Sequence, residues 1–81
     1  MVKVHLWSGL RRLAGDAETV TVEAATVGQM LDALVALHPG LKPIIEGGVA
    51  VAIDGEITNG GRHLRVNDNS EIHLLQQMKG G

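Results

Sequence analysis

Cysteine, phenylalanine and tyrosine are absent from this 81-residue chain, and Trp7 is its only aromatic residue. Without a thiol there is no disulfide framework, no thiolate nucleophile and no sulfur ligand for a metal. The apolar 44% is Val, Leu, Ile, Ala and Met apart from Trp7, so the core is expected to be aliphatic. A chain of this size forms one domain that buries roughly 60–65% of its unfolded surface. The four histidines are scattered and offer no close-spaced ligand pair, and His5 with His73 would still lack a third ligand. No metal site is expected. No apolar run approaches the roughly 18 residues of a membrane helix, and the Met1–His5 start has no signal-peptide character. A cytoplasmic protein with no membrane contact is the expectation. Nine acidic and seven basic residues are spread along the chain for a net charge of −2, which leaves no electrostatic footprint for nucleic acid. The adjacent Arg11 and Arg12 are expected to be a solvated pair in a loop.

What is present is a run of short periodic segments. Val2, Val4 and Leu6 alternate with Lys3, His5 and Trp7, the period of a strand with one buried face. Ser8 to Ala17 is expected to be a loop, followed by a second strand on Val20 and Val22 that pairs with the first as a hairpin. Thr26 followed by Gln29 has the form of a capping box, and Val27, Met30, Leu31 and Leu34 then recur at helical spacing. This helix should stop near Leu37, because Pro39 pushes its predecessor out of the helical region. Leu41 to Gly48 reads as an irregular or single-turn segment with Ile44 and Ile45 packed inward. Val49, Val51 and Ile53 form a third strand, Asp54-Gly55 a hairpin turn, and Glu56 to Thr58 a short fourth strand that Gly60-Gly61 breaks. Asn67 to Ser70 reads as a tight turn using the tolerance of Asn for left-handed backbone. Ile72 and Leu74 alternate with His73 and Leu75 in a last strand that ends about Gln76. The order β-β-α-β-β-β is an α+β arrangement, a mixed sheet with one main helix packed across one face.

Several of these features resemble the MoaD/ThiS family of ubiquitin-like sulfur carriers. The element order is shared, Ala52-Ile53-Asp54-Gly55-Glu56 is similar to the family's hairpin after its third strand, and Val66 to Ile72 resembles its Leu-Lys-Asp-Gly-Asp-Glu-Val turn. The chain closes on Gly80-Gly81, as the family does. The resemblance implies a β-grasp domain over residues 1–76 with about four to five strands, and a flexible tail over 77–81. It also implies that the Gly81 carboxylate is adenylated by a ubiquitin-activating-type enzyme and converted to a thiocarboxylate. ATP and Mg²⁺ are then used by that partner, and this chain binds no cofactor and is no catalyst alone. Length and the Ser8–Ala17 segment lean toward the small subunit of molybdopterin synthase, whose large subunit would accept the sulfur.

Physical chemistry supports these roles. A carboxylate is a poor electrophile until it carries a good leaving group, and a tail that enters a buried site must be thin, which glycines without a Cβ allow. The five residues beyond Gln76 reach at most about 16–18 Å. If the first and last strands are neighbours, as in the family, His5, Trp7, His73 and Leu75 cluster on the sheet face opposite the helix and are the expected docking surface. Met78 and Lys79, which replace the proline and small residues common in the family, would contact partners beside Gly80 and Gly81. Two other functions share this sequence pattern: a protein modifier joined to lysines through Gly81, and a non-catalytic interaction module.

Overall fold

The structure is a computed structural model that describes residues 1–58 and 61–76. In chain order it has strand β1 (Val2–His5), helix α1 (Ser8–Arg11), a 3₁₀ turn (Arg12–Ala14), β2 (Thr19–Val22) and helix α2 (Val27–Leu37). A second 3₁₀ turn (Pro39–Leu41), helix α3 (Lys42–Gly47), β3 (Val49–Ile53), β4 (Glu56–Thr58) and β5 (Glu71–Gln76) follow. The strands form one five-stranded sheet in the order β2-β1-β5-β3-β4. The last strand pairs parallel with β1 and antiparallel with β3, and the remaining pairings are antiparallel hairpins.

The period-two pattern sets which face is buried. Val4 on β1 stands opposite Ile72 on β5, and Leu74 stands opposite Val51 on β3, so their side chains share one face. That face packs on Val27, Met30, Leu31 and Leu34 of α2 to form an aliphatic core, as the composition requires. Helix α2 begins and ends where its sequence signals place it. Thr26 Oγ1 accepts from the Gln29 backbone N–H at 3.2 Å, while Gln29 Oε1 accepts from Ala25 N at 2.9 Å, one residue earlier than in the standard capping box. Two further free N–H groups of the first turn, on Val27 and Gly28, donate to the carbonyls of Leu64 and Arg62 at 2.8 Å. The segment between β4 and β5 therefore serves as a cap for the main helix.

This contact requires glycine at position 28. A Cβ there would lie 2.8 Å from the Arg62 Cβ and 3.1 Å from its carbonyl oxygen, and Arg62 is held by an ion pair with Asp32 at 2.7 Å. Gly28→Ala is expected to destabilise the fold by about 1–3 kcal/mol, against the usual helical gain of replacing glycine by alanine. Urea unfolding measures it.

Four expectations are corrected. Ser8 to Ala17 is not a plain loop: Leu10 and Ala14, four residues apart, bury themselves through α1 and the following 3₁₀ turn. Arg11 is accordingly no solvated residue, since it is half-buried and its Nε donates to the Leu6 carbonyl at 3.1 Å. Of the Ile44–Ile45 pair only Ile45 packs on the core while Ile44 is exposed, because neighbours on a helix point about 100° apart. Leu41, fully buried, is the residue that anchors this connection. Finally, the Asn67–Ser70 turn uses no left-handed asparagine. Side chains hold it instead: Asn67 Oδ1 accepts from Asn69 N at 2.9 Å and Ser70 Oγ accepts from Asn67 N at 3.1 Å. The Asp54-Gly55 hairpin does use positive φ, 52° and 88°, as a type I′ turn demands.

Candidate functional site

The strand that leads to the tail is central. β5 lies between β1 and β3, and its last residue, Gln76, stands opposite Val49, so the chain leaves the sheet from its middle and from a fixed base. Gly80 and Gly81, with Met78 and Lys79, lie outside the described residues. The base of the tail opens on a cleft of about 380 Å³ bounded by Trp7 and Leu10 on one side, Pro43, Ile44 and Gly48 on the other, and Gln76.

Trp7 reaches this cleft because β1 ends at His5 and α1 begins at Ser8, with Trp7 as its N-cap. Its ring lies over the first turn of α1, where a Cβ on Gly9 would come within 2.8 Å of the indole Nε1. The sequence placed Trp7 among His5, His73 and Leu75. Of these, the histidine pair stacks at 4.3 Å between ring centroids with planes 11° apart. Leu75 follows His73 on the same face of β5, opposite Ala50. Trp7 lines the cleft beside Gln76, half-buried against the core.

The outer face at the middle of the sheet is polar. His5 and His73 are register partners on β1 and β5, and Lys3 stands opposite Glu71. Since Glu71 and His73 are two apart on one strand they share that face, and His73 Nε2 lies 3.1 Å from Glu71 Oε1. Desolvation by its neighbours lowers the pKa of His5 below 6.5, helped by His73 and Lys3 and opposed by Glu71. The fold thus favours neutral His5. The unfolded chain binds more protons just below pH 6.5, so stability rises with pH through that window and the His5 contribution is lost as pH falls through its folded pKa. An NMR titration is expected to give His5 a midpoint below 6.5, and His5→Asn to flatten the dependence of urea stability on pH there.

No metal site was expected because no third ligand accompanied the two imidazoles. The structure supplies one, since ligand atoms of His5, Glu71 and His73 all lie within 4.8 Å of one another. The spacing of Glu71 and His73 on a strand was the available signal, but it needed the β1–β5 register to include His5. Among the described residues no helix is long and apolar enough to cross a membrane.

A mixed sheet with a parallel central pair, one main helix across one face and a strand running out from its centre defines a ubiquitin-like β-grasp protein. The sequence matches the ThiS family over residues 4–81, and the chain belongs to that family of ubiquitin-like sulfur carriers. Its structure is similar to SAMP1 from Haloferax volcanii, with a TM-score of 0.78, 30% identity and coverage of 99% of this chain and 98% of that one. It is also similar to a chain of the BexX/CysO complex from Amycolatopsis orientalis, with a TM-score of 0.85, 25% identity and full coverage of both chains. The complex of subunits 1 and 2 of the molybdopterin-converting factor from Helicobacter pylori shares the fold, with a TM-score of 0.68 at 22% identity, covering 99% of this chain and 97% of that one. No curated protein matches the sequence.

Proposed function

We propose that the α-carboxylate of Gly81 is the reacting group, adenylated by a ubiquitin-activating-type partner with ATP and Mg²⁺ and then converted to a thiocarboxylate. The family match, which runs through Gly80 and Gly81, is the observation that carries this reading. In the first step a carboxylate oxygen attacks the α-phosphorus of ATP and pyrophosphate leaves. In the second, hydrosulfide from the sulfur donor attacks the acyl-adenylate carbonyl, the C–O bond to AMP breaks and AMP leaves, and loss of the S–H proton to solvent leaves a terminal COS⁻. Neither step asks an acid, base or nucleophile of this chain beyond its own carboxylate. The loaded sulfur is soft and ionised at neutral pH, the property that makes thiolates nucleophiles. Use of ATP suits a cytoplasmic protein.

The contribution of the domain is to present the tail. Trp7 and the cleft at Gln76, with Leu75 and the His5–His73 pair on the outer face and Met78 and Lys79 on the tail, form the surface we assign to partners. Aromatic anchors in partly open clefts suit that role. The acceptor we propose is a molybdopterin synthase large subunit, on the length of the chain and its segment between β1 and β2.

The similarity to SAMP1, a small archaeal modifier protein, favours a second reading in which the same activated Gly81 is joined to lysines of other proteins. One experiment separates them. The chain is incubated with its activating enzyme, ATP and a sulfur donor and weighed intact. Exchange of one oxygen for sulfur at the C-terminus supports the carrier; lysine isopeptides without a thiocarboxylate support the modifier, and neither product leaves only an interaction module.

A further inference from the structure

The outer face of the central strand pair gathers three side chains that can ligate a metal. His5 comes from β1 and His73 from β5 as direct register partners, and Glu71 lies one pleat from His73 on the same face. Their ligand atoms lie within 4.8 Å of one another. A tetrahedral zinc with bonds of about 2.0–2.1 Å holds its ligands roughly 3.4 Å apart. The Glu71–His73 pair, at 3.1 Å, is already near that spacing. An imidazole binds a metal in its ring plane, so the His5 ring has to swing out of its stack on His73, where the two planes are 11° apart, to bring both lone pairs onto one ion.

The backbone beneath these groups is fixed. Asp54, at the β3–β4 turn, donates its N–H to the Glu71 carbonyl at 2.9 Å and accepts from the Glu71 N–H through Oδ1 at 2.8 Å, which anchors the first residue of β5. The register partner of His73 on β3 is Ala52, whose methyl group is too short to cover the imidazole. Lys3 is the opposing charge, across from Glu71.

We propose that His5, Glu71 and His73 form a divalent transition-metal site, with two imidazoles and one carboxylate as ligands and the fourth position held by water. Two nitrogen ligands select zinc and its neighbours over magnesium or calcium, which require oxygen cages. The site is independent of the chemistry at Gly81, so either reading can fail without the other.

The test is titration of the full chain with Zn²⁺ in a non-coordinating buffer, followed by calorimetry and by NMR of the histidine rings. One zinc per chain is expected, with ring shifts at His5 and His73 and none at His38 or His63. Because loss of a mere outer-shell partner costs about 10–100-fold in metal affinity, loss of a direct ligand in His5→Asn, His73→Asn or Glu71→Gln is expected to cost at least about tenfold. Lys3→Gln should tighten binding by removing a nearby positive charge. His38→Asn and His63→Asn should leave it unchanged. The ring shifts of the unaltered protein read the site even if a variant folds poorly. Absence of binding, shifts centred on His38 or His63, or affinity retained in folded His5→Asn and His73→Asn would overturn the proposal.

Discussion

Deletion of Gly81 is expected to abolish thiocarboxylate formation while leaving the unfolding transition where it was. The shortened chain still ends in a glycine carboxylate, so the effect is one of position. Losing one extended residue withdraws the reacting carbon by about 3.3–3.6 Å. A misplacement of roughly 1 Å can already cost about 100-fold in rate when catalysis depends on holding reactants in register. The base of the tail cannot compensate, because Gln76 is paired to Val49 in the middle of the sheet and β5 cannot slide without moving Ile72 and Leu74 out of the core. A one-residue slip would turn both to the opposite face. Intact mass after activation and a urea melt give the two readouts. Retained sulfur loading in the shortened chain would sink the assignment of Gly81, and an altered melt would show that the tail supports the fold.

Local periodicity explains why so much of the fold was legible. Val2, Val4, Leu6, Ile72 and Leu74 announce their strands because each has one buried face, and Thr26, Gln29 and Pro39 mark the limits of α2 by chemistry confined to a few residues. α1 escaped notice because a helix of four residues carries one buried side chain, Leu10, too few to establish a period. The side-chain hydrogen bonds of the Asn67–Ser70 turn escaped for a different reason. Its residue types fit several turns, and only the approach of Ser70 Oγ to Asn67 N selects one.

The site divides in the same way. The diglycine is visible as sequence, whereas the cleft at Gln76 joins α1, α3 and the end of β5, and no spacing along the chain encodes that meeting. The alternation of β1 continues past its last paired residue, with Leu6 buried and Trp7 half-buried, whereas the cleft that Trp7 lines depends on α3 and the end of β5 and has no local signal. Glu71 was missed as a partner of the histidines although the first and last strands are expected as neighbours, because the register that sets His5 opposite His73 and Lys3 opposite Glu71 is a property of the sheet, not of either segment.

Truncation of the main helix at its deepest contact is the change expected to have the largest effect on stability. Leu34 and Met30 are both fully buried, one turn apart on the face of α2 that meets the sheet. A domain of this size has a total stability of roughly 4–12 kcal/mol, and Leu34→Ala is expected to remove about 2–5 kcal/mol by lost burial and by the cavity left behind. At about 4–8 °C per kcal/mol, that lowers the Tm by roughly 8–40 °C. Ile57→Ala, at an exposed position on the edge strand β4, should stay within about 0.5 kcal/mol and serves as the comparison. A loss below about 1 kcal/mol at Leu34 would mean that α2 is not seated on the sheet as described, since little else could absorb so large a cavity. The consequence would extend to the tail. β5 is held at the centre by its two neighbours and by α2 over Ile72 and Leu74, so loosening α2 frees the strand that carries Gln76. Leu34→Ala is therefore expected to reduce sulfur loading only at temperatures where it unfolds, whereas the Gly81 deletion reduces it at every temperature. Measuring loading against temperature in the two variants separates a carrier weakened in its scaffold from one shortened at its reacting end.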